Sequence, residues 1–238
     1  MNAPNEGALP NRVGAIDCGT NSIRLLIADV TAEGTLVNVH REMRIVRLGQ
    51  GVDATGAFAP EAIERTRVAL ADYAALMRDA RVGKVRMVAT SATRDAANRE
   101  VFFEMTRAEL GTVVPGAQAE VITGDEEARL SFTGAIGELS DEAGPFVVVD
   151  LGGGSTELVF GDADGVQAAY SADIGCVRIT ERCLPGNPPT AEQVAAAREF
   201  ATERLAAAFA EVPVERAHTW VGVAGTMTTL AAIALDLP

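Results

Sequence analysis

Histidine and cysteine are scarce in this 238-residue chain, and each shortage removes a class of chemistry. There are two histidines, His40 and His218, and both fall outside every glycine-rich loop, as residues of strand surfaces would. No GxSxG is present, so serine–histidine hydrolysis has neither its elbow nor its base. The three cysteines, Cys18, Cys176 and Cys183, are odd in number and show no CxxC and no Cys/His ligand spacing. A disulfide framework and a structural zinc site are thereby set aside. Cys18 lies in an apolar run and reads as a small buried hydrophobe. Neither GxxxxGK[ST] nor GxGxxG occurs in its required context, so P-loop and dinucleotide-binding readings fail. No apolar run reaches the length of about 18 residues expected of a membrane span. The N-terminus has no basic segment followed by an apolar one, so a cytoplasmic protein without membrane attachment is expected. Basic residues are outnumbered 20 to 33 and the net charge is −13, which argues against a broad nucleic-acid surface. A polyanion is not excluded: a few N–H groups, some arginines and a metal ion hold phosphate even in an acidic protein.

What is present is a core-forming chain, 48% hydrophobic. Only residues 1–12, polar and rich in Pro and Gly, are expected to fray. Strands are predicted at 13–17, 22–30 and within 35–48, a helix at 59–80 with Pro60 in its first turn, a strand at 84–90, helical residues at 94–110, a strand at 118–123 and a helix at 125–136. The pattern then restarts. Strands are predicted at 146–150, 155–161 and 166–172, helices at 176–184 and 190–212, a strand at 218–225 and a helix at 226–235. Thr190 and Gln193 have capping-box spacing at the start of the long helix. AIDCGTNSIRLLI (15–27) lies without gaps over VVDLGGGSTELVF (148–160): Asp17 meets Asp150, Gly19 meets Gly152, Ser22 meets Ser155 and Leu25 meets Leu158. The reading is α/β and duplicated, with a flexible segment 1–12, a first domain over 13–125 and a second over 126–238.

The duplicated turn carries the candidate chemistry. Glycines let a ligand approach the main chain closely, and successive N–H groups facing one point form an anion nest. Gly152, Gly153, Gly154, Ser155 and Thr156 form one candidate phosphate loop; Thr20, Asn21 and Ser22 form the other. Asp17 and Asp150 end apolar strands, where a carboxylate needs a cation or hydrogen bonds. Two aspartates facing across a cleft suit Mg²⁺, which takes one or two carboxylates, waters and phosphate oxygens. The plain alternative is an Asp that caps its own turn. In VITGDEEARLSF (121–132), Thr123 and Glu126 have capping-box spacing, which leaves Glu127 without a structural task. At a helix start facing a cleft, Glu127 suits a general base. The helix dipole there lowers its pKa and burial raises it; the sequence does not rank the two. Arg94, after a strand in ATSATR, offers a fork for phosphate oxygens.

The motifs AIDCGTNSIRLLI, ATSATR, TGDEEARLSFTG, VVVDLGGGSTELVFG, ADIGCVRITER and VGVAGTMTTLA, in this order, resemble the exopolyphosphatase / guanosine pentaphosphate phosphohydrolase (Ppx/GppA) family. The resemblance implies two duplicated ribonuclease-H-like domains around a cleft, as in the actin, sugar-kinase and heat-shock chaperone superfamily. It implies Mg²⁺-dependent hydrolysis of terminal phosphoanhydride bonds of polyphosphate, and guanosine pentaphosphate as a further substrate. Glu127 matches the catalytic base, Glu157 the acid that positions metal or water, Asp150 the metal-associated acid, and Arg94 a phosphate-binding arginine. Family members continue past the AGT motif, so the second domain is expected to be C-terminally incomplete here. A dimer is common in the family, so the resemblance allows a homodimer. The competing readings are a sugar or carboxylate kinase of the same superfamily, which GDEEARL disfavours, and a non-catalytic polyphosphate or nucleotide sensor.

Overall fold

A computed structural model describes residues 11–137, 139–140 and 143–237. Most of the segment expected to fray, residues 1–10, lies outside the described residues. The first sheet has the order β3-β2-β1-β4-β5. β1 (Asn11–Cys18), β2 (Ser22–Val30) and β3 (Leu36–Ile45) form an antiparallel meander, and β4 (Lys84–Ala89) and β5 (Ala119–Val121) add in parallel beside β1. The second sheet has the order β8-β7-β6-β9. β6 (Phe146–Leu151), β7 (Thr156–Asp162) and β8 (Gly165–Ala172) repeat the meander, and β9 (Thr219–Val223) lies parallel to β6. The first four strands of each sheet share one chain order and polarity, the ribonuclease-H-like arrangement, and among the described residues the second sheet has no counterpart of β5.

Alternation explains why β2 is a strand with one buried face. Ile23, Leu25 and Ile27 are buried between half-exposed Ser22, Arg24 and Leu26, a period of two. They pack in one core with Leu70, Tyr73 and Met77 of α2 (Pro60–Asp79) and Phe102 of α4 (Arg99–Leu110). Pro60 opens α2 as predicted, where its missing N–H is harmless. The helix read through 94–110 is two helices: α3 (Ser91–Asp95) ends at Ala96, whose backbone is extended, before α4 begins. Asn98, just before α4, holds Phe58 by accepting from its N–H at 2.8 Å and donating to its carbonyl at 3.1 Å.

The second sheet is covered on both faces. Ala128 and Phe132 of α5 (Gly124–Ile136) pack on Phe146, Val148 and Val159. Ala208 of α7 (Ala191–Glu211), with Val212 just beyond it, packs on Val147, Leu158 and Phe160. α7 begins with the expected capping box between Thr190 and Gln193. α6 (Cys176–Cys183) connects β8 to α7, and α1 (Val52–Thr55) lies opposite it on the first lobe. α8 (Ala224–Ala234) follows β9 and has no buried residue among those described, with Leu230 and Ile233 exposed. No helix among the described residues is long and apolar enough to cross a membrane.

Candidate active site between two glycine turns

The two turns predicted from the sequence overlay are built alike. In the first, the Gly19 N–H donates to the Ser22 carbonyl at 3.0 Å; in the second, the Gly152 N–H donates to the Ser155 carbonyl at 3.0 Å. Each turn is then held from behind by a later segment. The Thr20 carbonyl accepts from the Gly49 N–H, and the Asn21 carbonyl from Val46 and Arg47. The Gly152 carbonyl accepts from the Cys176 N–H, and the Gly153 carbonyl from Val177 and Arg178, at the start of α6. A trans peptide places its C=O and the following N–H on opposite sides. With the carbonyls drawn backwards, the N–H groups of Asn21 and Ser22 in one turn and of Gly153 and Gly154 in the other face forwards. This is an anion nest in each turn. Two segments that sequence reading gave no role, 46–49 and 175–178, set the peptide orientations. Their backbone amides have no sequence signature.

A cavity of about 520 Å³ lies between the turns. Asp17, Asn21, Ser22, Asp150, Glu127 and Gly152–Ser155 all line it. Thr20 also lines it and is nearly buried against the opposite lobe: a Cβ on Gly153 would lie 3.0 Å from the Thr20 Cβ. The far wall comes from the β9–α8 junction. Ala224, at φ 71, is a non-glycine residue in left-handed backbone there, and such strain concentrates at functional sites.

Three predicted residues sit away from the cavity wall. The Thr156 hydroxyl donates to the Ile174 carbonyl at 2.8 Å and is buried, so it ties the loop down and is not free for phosphate. Arg94 turns to Glu127: its Nη1 lies 2.8 Å from Glu127 Oε2 and 3.1 Å from the Ile122 carbonyl. Its first partner is therefore the candidate base. Glu157 is 1% exposed, behind the turn, and accepts from the Ser171 hydroxyl at 2.7 Å. Glu126 makes only half of the expected capping box. Thr123 accepts from its N–H at 3.2 Å, but the Glu126 carboxylate reaches Arg86 at 2.8 Å.

The acids are under strain from one another. Burial pushes the Glu127 pKa up; Arg94 pulls it back, and Asp17 and Asp150 push further. Burial thus outweighs the ion pair with Arg94. Glu157 is also pushed up, by burial first and then by Glu127, against the hydroxyls of Ser171 and Ser155. Asp17 is raised by the surrounding protein, with Arg24 opposing and Asp150 adding.

The repeats differ in charge at one paired position. In β1–β2, Asp17 lies opposite Arg24, and their charged groups meet at 3.3 Å. In β6–β7, Asp150 lies opposite Glu157. Like charges directly opposite on a sheet destabilise it. Among the described residues, Asp150 has only the Ser131 hydroxyl, at 2.6 Å, as a side-chain partner. The second hairpin thus has an acid where the first has an arginine, and a bound cation would relieve the excess charge. Among the described residues no three His, Cys, Asp or Glu side chains gather closely enough to hold a metal alone. An ion held here would need water and phosphate to complete its coordination, as Mg²⁺ accepts.

A sequence model of the Ppx/GppA phosphatase family matches residues 26–235. Exopolyphosphatase 2 of Mycobacterium tuberculosis is 66% identical over 229 residues, spanning 95% of this chain and 72% of the relative. The crystal structure of an exopolyphosphatase-like protein superposes with a TM-score of 0.86 at 47% identity, over 95% of this chain and 69% of that one. An Aquifex aeolicus Ppx/GppA family member gives a TM-score of 0.71 at 38% identity, over 94% and 70% of the two chains.

Proposed function

Because the chain belongs to the Ppx/GppA phosphatase family, we propose that the cavity hydrolyses the terminal phosphoanhydride bond of inorganic polyphosphate. The observation that carries the reading is the pair of N–H nests facing one cavity, with Glu127 on its wall. A terminal phosphoryl group carries its charge on oxygens to which N–H groups donate directly, without a surplus of lysine and arginine. The acidic chain is therefore no obstacle to a polyanionic substrate.

Glu127 is the base. It lies in the first turn of α5, where Thr123 and the helix start fix its backbone. Arg94 fixes its carboxylate. A raised pKa brings the carboxylate nearer to the value at which a base accepts a proton efficiently at neutral pH. Glu127 takes the proton of a water attacking in line with the leaving phosphate, while the nests hold the phosphoryl oxygens. Catalysis here is mostly positioning and electrostatics. Asp17 and Asp150, with Glu157 behind them, are the residues that would hold Mg²⁺. When bound, that ion would neutralise charge on the phosphate oxygens. Guanosine pentaphosphate ends in the same bond and is the second substrate to test.

The experiment is phosphate release from polyphosphates of defined length and from guanosine pentaphosphate, with and without Mg²⁺, for wild type and Glu127→Gln. A positioned base contributes about 10²–10⁴-fold, so Glu127→Gln is expected to lose that much turnover and retain binding. Undiminished turnover in Glu127→Gln would remove Glu127 as the base. Binding without turnover in the wild type would replace the hydrolase with a sensor.

A further inference from the structure

Arg178 lies outside the lining of the main cavity, yet it touches the glycine loop and the opposite lobe together. Its side chain is 12% exposed. Nε donates to the Gly154 carbonyl at 2.8 Å. Nη1 reaches Asp53 of α1 at 2.6 Å, and Nη2 reaches Asp95 of α3 at 2.6 Å and Ser91 Oγ at 3.4 Å. Arg182, one turn further on, grips the same Asp53 through two nitrogens at 2.9 and 2.8 Å. The backbone amides of α6 orient the Gly152 and Gly153 peptides, but no backbone group holds the Gly154 carbonyl among the described residues. Arg178 alone supplies that bond. The Gly154 carbonyl and the Ser155 N–H belong to one planar peptide and point oppositely. Holding the first therefore aims the second.

We propose that Arg178 is a positioning residue: its Nε orients the Gly154–Ser155 peptide so that the Ser155 N–H completes the phosphate nest, while Asp53 and Asp95 steady the guanidinium fork. The planar fork is what makes this possible. Three donors on one rigid group span a carbonyl on one lobe and two carboxylates on the other, a task that a lysine ammonium on its flexible stem does poorly. The inference rests on the phosphohydrolase reading, and it names a further residue that reading needs.

The test compares Arg178→Met, which keeps the apolar stem, Arg178→Lys, and the double variant Asp53→Asn/Asp95→Asn, all in the full chain. Losing one preorganised donor to a transferring group lowers turnover by about 10²-fold, and the loss is expected in kcat more than KM for both Arg178 variants. The Asp double variant retains the bond to Gly154 and is expected to lose less than about tenfold. Equal losses in the Arg178 and Asp variants would reduce Arg178 to a lobe contact and overturn the proposal. A second readout does not need turnover. Inorganic phosphate titrated into ¹⁵N-labelled protein is expected to shift the Ser155 amide in the wild type and not in Arg178→Lys or Arg178→Met. An equal Ser155 shift in all three would overturn the proposal. Wild type that shifts Ser155 but releases no phosphate from polyphosphate would sink the hydrolase reading and leave the positioning role standing.

Discussion

Gly175→Ala is the sharpest probe of how the second nest is built. Gly175 precedes α6 with φ −164, extended backbone that any residue adopts, so the substitution meets no conformational penalty. The obstacle is contact. A Cβ there would lie 2.4 Å from the Gly153 carbonyl carbon, 2.4 Å from its oxygen and 2.6 Å from the Gly154 nitrogen. All three are main-chain atoms of the nest and have no rotamer to yield. Reaching ordinary contact needs a shift of roughly 1 Å in the loop or in α6. Overpacking costs about 1–3 kcal/mol, and rigid backbone puts this site near 3. For a chain of this size that is a fall in Tm of about 6–12 °C. The same displacement lies at the reacting phosphate, where about 1 Å costs about 10²-fold in rate. Gly134→Ala is the control: within α5 its Cβ would meet nothing within 4 Å, and helix propensity predicts a gain of about 0.5–1 kcal/mol. Thermal unfolding and phosphate release would be measured on both variants. If Gly175→Ala tracked Gly134→Ala in either measurement, the contact between α6 and the glycine turn would not set the nest's geometry.

Two further substitutions test the acids. Glu157 has its pKa raised, so its neutral form is the one the fold favours. That stability is fully present below the unfolded carboxyl value and is lost as pH rises through the folded one. Glu157→Gln is permanently neutral and is expected to raise Tm over the wild type at pH 8 in the presence of a chelator, with the advantage vanishing near pH 4; a lower Tm at pH 8 would contradict the burial argument. Arg94→Met removes the group that pulls the Glu127 pKa down. The acid limb of the kcat/KM profile is then expected to move to higher pH, with at least about tenfold less turnover at neutral pH; an unmoved limb would separate Arg94 from the base.

The duplication was legible because two short strands and their turn repeat in sequence, and the matched Asp, Gly and Ser residues occupy matched places in space. The freedom of Glu127 from the helix cap was legible, since Thr123 meets the helix start through Glu126, and Glu127 lies on the cavity wall. The roles of Thr156 and Arg94 were not. Sequence shows which residue types stand near a glycine turn, but not that the Thr156 hydroxyl turns to Ile174 or that Arg94 finds Glu127 first. The supports at 46–49 and 175–178 escaped for a different reason: they act through backbone amides, which every non-proline residue has. Arg178 lay within a quoted motif, but its partners are 125 and 83 residues away in the chain. The break after α3 follows from the extended backbone at Ala96, which helical periodicity across 94–110 does not reveal.

The nests are assembled from distant parts of the chain, and this ties ligand affinity to folding. The carbonyl of Asn21 waits for residues 46 and 47, and that of Gly153 for residues 177 and 178. An unfolded chain, or a hairpin on its own, has no oriented amides to offer. Phosphate bound there as proposed would discriminate almost wholly between native and denatured chains, and its binding energy would add to stability, by about 2.7 kcal/mol at a hundred times its dissociation constant. A cell holding a large store of polyanion would hold this protein folded by mass action, and exhausting the store would return it to its unaided stability.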